Sequence, residues 1–242
     1  MNQSQLRHYL MALLRVRAPL AVILVLGLVH LMLKLQETPE NINTAYQLFG
    51  LQWETFKTGR IWQIWTYGFL HGGLLHLGVN ALGILMMGSR IEQIIGSGGF
   101  SRLCLFGILG GGVTHLLVAP GGLDAPILVG FSAAVMALLL LMTTLSPDSR
   151  MWPLPVSGRT LGIGILSAEG TLALIDPALN LPVISQAGIW ISQHGGAQWF
   201  EIAHACHFGG GITGWLYGRW ILRQRVSRES LRRARERKES GL

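Results

Sequence analysis

The stretch Ile127-Leu128-Val129-Gly130-Phe131-Ser132-Ala133-Ala134-Val135-Met136-Ala137 opens an apolar run that continues to Leu145. Gly130, Ala133, Ala134 and Ala137 crowd around Ser132. Small side chains let helix backbones meet inside a bilayer, where there is no hydrophobic force to draw two apolar helices together. The run therefore reads as a membrane helix with a hydroxyl at a close contact. By itself the serine is a weak signal, because most serines in membrane helices bond back to their own backbone.

Composition carries the same reading to the whole chain. Of 242 residues, 50% are hydrophobic, only 13% are charged, and 32 are glycine. A soluble domain carries about 25% charged residues, and glycine at this frequency belongs where membrane helices pack. Apolar segments at about Ala18–Leu33, Gly72–Gly88, Leu103–Val118, Leu161–Ile175 and Ile202–Leu222 join the run at Ile127–Leu145. Spans near 20 residues suit a hydrocarbon core about 30 Å thick, and the shorter ones rely on flanking residues or a thinned bilayer. The expected fold is an all-α integral membrane protein with six spans. Residues 1–17 form an N-terminal segment, 18–222 the membrane domain and 223–242 a basic tail.

An even number of spans puts both termini on one side. Arg7, Arg15, Arg17, Arg90, Arg102, Arg150, Arg159 and the cluster from Arg219 to Lys238 fall there, against Lys34, Lys57 and Arg60 opposite. By the positive-inside rule both termini are cytoplasmic, and a bacterial inner membrane is the expected location. The first span is too long for a signal peptide and no small-x-small cleavage site follows it. Its basic tail lacks stacking aromatics after Trp220, so it reads as a topology or anionic-lipid signal, with no nucleic acid as partner. The connection from Leu35 to Phe69 interleaves Trp53, Phe56, Trp62, Trp65 and Tyr67 with Glu54, Lys57 and Arg60. Amphipathic rings prefer the headgroup region, which lays this long first loop along the membrane surface. Cys104 and Cys206 sit in or beside apolar runs without ligand spacing and read as packing residues.

Polar groups inside a membrane are costly, and their default reading is functional. The second span carries His76 and Asn80 on one face, with His71 just ahead of it. In the sixth, Gly210, Gly214 and Gly218 make a smooth face beside His207. With 1.5 Å of rise per residue, Ser132 and His207 both lie about 8 Å below the outer surface, and His76 enters from the same side. A neutral imidazole can take the proton of a serine hydroxyl, and His76, Asn80 and the Ser132 N–H can donate to an oxyanion. Asp124 falls in a loop and Glu201 at a helix start, so no carboxylate joins this layer and a dyad fits better than a triad. Glu169, deep in the fifth span, has no evident partner. With no carboxylate or thiolate at ligand spacing beside His71, His76, His204 and His207, neither a metal site nor a cofactor is expected.

These residues resemble a family. Trp62-Gln63, His71, His76-Leu77-Gly78-Val79-Asn80, Gly88 with Glu92, Gly130-Phe131-Ser132, and His207 with Gly210 and Gly214 follow the order and spacing of the rhomboid intramembrane serine proteases. The resemblance covers about Pro19 to Leu222. It implies a Ser132–His207 dyad, with His76 and Asn80 at the oxyanion. Implied substrates are membrane-anchored proteins, cut near the outer face within or beside their transmembrane segments. The fifth helix and the loop before the sixth would form the gate. Ala133 stands where the family usually has glycine, Met136 where an aromatic often packs on the histidine, and Gln63 where arginine often follows the loop tryptophan. A non-enzymatic relative that binds membrane-protein clients is the alternative. A transporter is disfavoured, because no pair of interrupted helices occupies corresponding halves of the chain.

Overall fold

The computed structural model describes residues 17–36, 38–118, 126–150, 155–225 and residue 236. Arg7, Arg15, Asp124 and nearly all of the basic tail lie outside the described residues.

Helix α1 (Arg17–Lys34) begins with Pro19 in its first turn, where a missing N–H costs nothing. The Ala18 N–H in this turn donates to Glu92 Oε1 at 3.1 Å, and Ser97 Oγ donates to the same oxygen at 2.5 Å. One buried carboxyl group thus ties the start of α1 to the residues around Ser97. The first loop is built of three short helices: α2 (Pro39–Phe49), capped by Thr38, then α3 (Trp53–Lys57) and α4 (Gln63–Thr66). Gln63 is fully buried; it accepts from Thr55 Oγ1 at 2.7 Å and donates to Gln47 O at 2.9 Å. The amide therefore pins the loop through neutral hydrogen bonds. Trp53, Trp62 and Trp65 remain exposed.

Helix α5 (Leu74–Gly83) passes through a π turn at Ile84–Gly88 into α6 (Ser89–Val118). Gly96, at φ +75 and ψ 166, breaks α6 and separates the second expected span from the third. Only glycine adopts that conformation without penalty. The third expected helix thus starts soon after Gly96 rather than at Leu103.

Helix α7 (Ser132–Leu145) corrects a second boundary, because residues 127–131 are not helical. Leu128 exchanges both backbone hydrogen bonds with Leu51, at 2.9 and 3.0 Å, and Gly130 N–H donates to Tyr67 O at 3.0 Å. The first loop therefore draws this apolar stretch out into an extended arm, and Ser132 becomes the first residue of α7. The chain continues through α8 (Gly158–Leu174), capped by Ser157, to α9 (Ile184–Ile191) and α10 (His204–Arg225). Helix α9 lies within what reads as a polar connection in the sequence.

The helices expected from the apolar segments all form. Among the described residues two stretches, Arg17–Lys34 and Leu74–Val118, are by length and hydropathy apolar and long enough to cross a membrane; Ser132–Leu145 is apolar but shorter. Helices α6, α7 and α10 make the centre of the bundle. A side chain at Gly210 would strike the backbone of Ala133, and one at Gly214 the backbone of Ala137. The glycine face of α10 therefore lies backbone-to-backbone on α7. Gly209 and Gly110 face Thr114 and Thr213 at the contact of α10 with α6.

Candidate active site

The extended arm places Ser132 at the start of α7, where Ala134 N–H already donates to Phe131 O at 3.0 Å and the N–H groups of Ser132 and Ala133 precede any acceptor within the helix. Gly130 in this arm has φ +122, and the His76 ring lies against its Cα where a side chain would otherwise stand. The Phe131 N–H donates to Nε2 of the buried His71 at 3.4 Å. His71 and His76 meet edge to face, with ring centroids 5.1 Å apart. Two histidines thus brace the arm immediately before the serine. His71 was legible only as a neighbour of His76, and its bracing role depends on a residue sixty positions away.

Ser132 Oγ lies 2.8 Å from His207 Nε2. The two helices can approach this closely because Gly210, one turn after His207, leaves room for the Ala133 backbone. Asn80 is buried one turn below His76 and donates to the His76 carbonyl at 2.9 Å. That bond uses one of its two amide protons. His76 reaches the serine's arm through Gly130, whereas Asn80 makes no direct hydrogen bond to Ser132 among the described residues.

The expectation that no carboxylate belongs to this layer is overturned. Glu169, from α8, places Oε1 3.2 Å from His207 Nδ1 and Oε2 2.6 Å from His204 Nδ1. The other nitrogen of His204 lies 2.7 Å from the Trp199 carbonyl. Glu169 is odd in the sequence as a carboxyl deep in an apolar helix. Its partners lie 35 and 38 residues away, so only the packing of α8 on α10 reveals them. Donor atoms of Glu169, His204 and His207 all fall within 4.8 Å of one another. Ligands of one tetrahedral ion stand about 3.3 Å apart, given metal–ligand distances near 2.0–2.2 Å. The 2.6 Å contact fits a shared proton instead.

A family model described as the Rhomboid domain matches residues 58–224, most of the chain. The chain belongs to the rhomboid family. This is a family of integral membrane proteins that includes serine proteases. The chain is 28% identical over 138 residues to RHOMBOID-like protein 12, mitochondrial, of Arabidopsis thaliana, covering 50% of this chain and 41% of that one. It is 38% identical over 68 residues to the chloroplastic Rhomboid-like protein 16 of the same plant, covering 28% and 21%. To the human Rhomboid-related protein 3 it is 32% identical over 80 residues, covering 33% and 19%. The matched part spans less than half of each of these rhomboid relatives. Two of them carry organellar names, so they lend no support to the bacterial inner membrane expected from the sequence.

Proposed function

We propose that this rhomboid is an intramembrane serine endopeptidase that cleaves membrane-anchored proteins within or near their transmembrane segments. The observation that carries this reading is the 2.8 Å approach of Ser132 Oγ to His207 Nε2, inside the usual range for a nucleophile and its base. His207 Nε2 accepts the hydroxyl proton as Ser132 Oγ attacks the scissile carbonyl. The free N–H groups at the start of α7, with His76 and the second amide proton of Asn80, donate to the oxyanion. Collapse of the tetrahedral intermediate returns the proton from His207 to the leaving amine.

The six-span arrangement, with both termini on the basic side, completes the proposal. In that arrangement the Ser132–His207 pair lies toward the side opposite the termini. The client-binding alternative drew its force from Ala133, and the helices accommodate that methyl against Gly111. The test is a fluorophosphonate probe on purified protein in detergent micelles, alongside cleavage of a model transmembrane substrate. Wild-type protein labels at Ser132 and cleaves; Ser132→Ala and His207→Ala do neither. An unlabelled, folded wild type that still binds transmembrane segments would establish the client-binding protein instead.

A further inference from the structure

Beyond the serine and its base, the hydrogen-bond geometry around Glu169 has to distribute its protons in one way. His204 Nε2 faces the Trp199 carbonyl, which can only accept, so this nitrogen carries a hydrogen. His204 Nδ1 and Glu169 Oε2 are 2.6 Å apart, and two lone pairs cannot face each other at that distance. A proton therefore lies between them, whichever atom formally holds it. Glu169 Oε1 is then bare and can only accept. The group opposite it, His207 Nδ1 at 3.2 Å, must be the donor. A neutral imidazole has one N–H, so the lone pair of His207 is on Nε2, facing Ser132. That is the tautomer a general base needs.

Resting on the protease reading, we infer that Glu169 is a positioning residue which holds His207 in its Nδ1–H tautomer, and that His204 fixes the polarity of Glu169. The order is Trp199 carbonyl, His204, Glu169, His207, Ser132. It begins in the segment before α10, enters α10 at His204, crosses to α8 at Glu169, returns to α10 at His207 and ends on α7. During the reaction the Ser132 proton moves to His207 Nε2, and the imidazolium keeps its Nδ1–H bond to Glu169. No proton passes to the carboxylate. An acid from α8 thus takes the orienting place that an aspartate holds in soluble serine proteases. Burial supports the assignment: His204 is only 6% exposed, and the side chains of Glu169 and His207 are each 14% exposed, so these groups face one another more than solvent.

The experiment compares substitutions that differ in their hydrogen bonds. Glu169→Leu removes the acceptor from His207. Glu169→Gln keeps both contacts, because His204 Nδ1, now a bare acceptor, takes the amide NH2 and turns the amide carbonyl toward His207. Labelling of Ser132 by a fluorophosphonate and the kcat and KM for a model transmembrane substrate are measured, with thermal unfolding in micelles as the control for folding. Glu169→Leu should label about 100-fold more slowly, with the loss in kcat and KM little changed, a size in keeping with loss of general-base catalysis. Glu169→Gln should recover to within about tenfold of wild type. Adding His204→Phe to Glu169→Gln removes the group that orients the amide, and labelling should drop again. A folded Glu169→Leu protein that labels at the wild-type rate overturns the inference, as does a Glu169→Gln protein as slow as Glu169→Leu. If Glu169→Leu does not fold, equal rates for Glu169→Gln with and without His204→Phe overturn it. Failure of the wild type itself to label removes the protease reading and this inference with it; labelling of the wild type with no effect at Glu169 removes only the inference.

Discussion

The methyl of Ala133 occupies the space that a side chain at Gly111 would need, so α7 meets α6 through an alanine packed on a glycine. Helix α10, by contrast, meets the backbone of Ala133 through Gly210. The alanine that departs from the family pattern is therefore accommodated on α6 and does not stand between Ser132 and His207.

This division makes the two sides respond differently. Ala133→Gly should change Ser132 labelling only a few-fold, because no atom between nucleophile and base is altered. Gly111→Ala forces two Cβ atoms together and should lower stability by about 1–3 kcal/mol, as overpacking does. Thermal unfolding in micelles reads the second effect. A Gly111→Ala protein as stable as wild type would show that α6 and α7 are loosely packed here.

At Gly210 the obstacle is main chain, which cannot change rotamer. Gly210→Val should push α10 off α7, and His207, one turn away, should lose its contact with Ser132. Labelling should fall by at least about tenfold, since about 1 Å of misplacement can cost 10²-fold in rate. Retention of full labelling would mean that the Gly210 contact does not set the Ser132–His207 distance.

Oxyanion donors act mainly in the transition state. His76→Ala and Asn80→Ala should therefore lower kcat with little change in KM, by about 10²–10³-fold for a full donor. His76→Ala also removes the ring that lies on Gly130, so it should cost stability as well. Asn80→Ala should leave the arm intact. Steady-state kinetics beside thermal unfolding separates the two.

His71 lies ahead of α5, outside the spans. Burial, and then the neighbouring His76 and His30, hold its pKa at about 4 instead of 6.5. Between those values the unfolded chain binds a proton at this site and the folded chain does not, so stability falls as pH drops from 6.5 toward 4. A protonated ring would also lose the lone pair that accepts from Phe131. Unfolding followed across this range should be flatter in His71→Asn than in wild type. Parallel profiles would exclude His71 as a source of acid sensitivity.

For the proposed topology, single cysteines placed near Trp53 and near His194 should react with a membrane-impermeant maleimide from the side opposite the termini. One near Arg150 should not. Labelling at Arg150 from that side would overturn the six-span count.

Much of the architecture was legible locally. Hydropathy located the helices because apolar length is itself the constraint a bilayer imposes, and the small-residue spacing of Gly210, Gly214 and Gly218 marked the face that lies on α7. The start of α7 was not legible, because residues 127–131 are as apolar as a helix. What extends them is pairing with Leu51 and Tyr67, far off in the sequence. Helix α9 was missed for the opposite reason: it is short, and the polar residues on either side masked it.

The sequence by itself determined which groups could react: a serine among small residues, a histidine on a glycine face, and a second histidine and an asparagine one turn apart. Periodicity within single helices carries that much, because side chains three or four residues apart share a face whatever surrounds them. Only the tertiary structure decided that Glu169 joins them. The rotation of α8 about its axis is set by its packing on α7 and α10, and no local pattern in residues 158–174 encodes which residue that rotation turns toward His207. A carboxyl that looks misplaced in an apolar helix stands, once α8 and α10 are packed, 3.2 Å from His207 Nδ1.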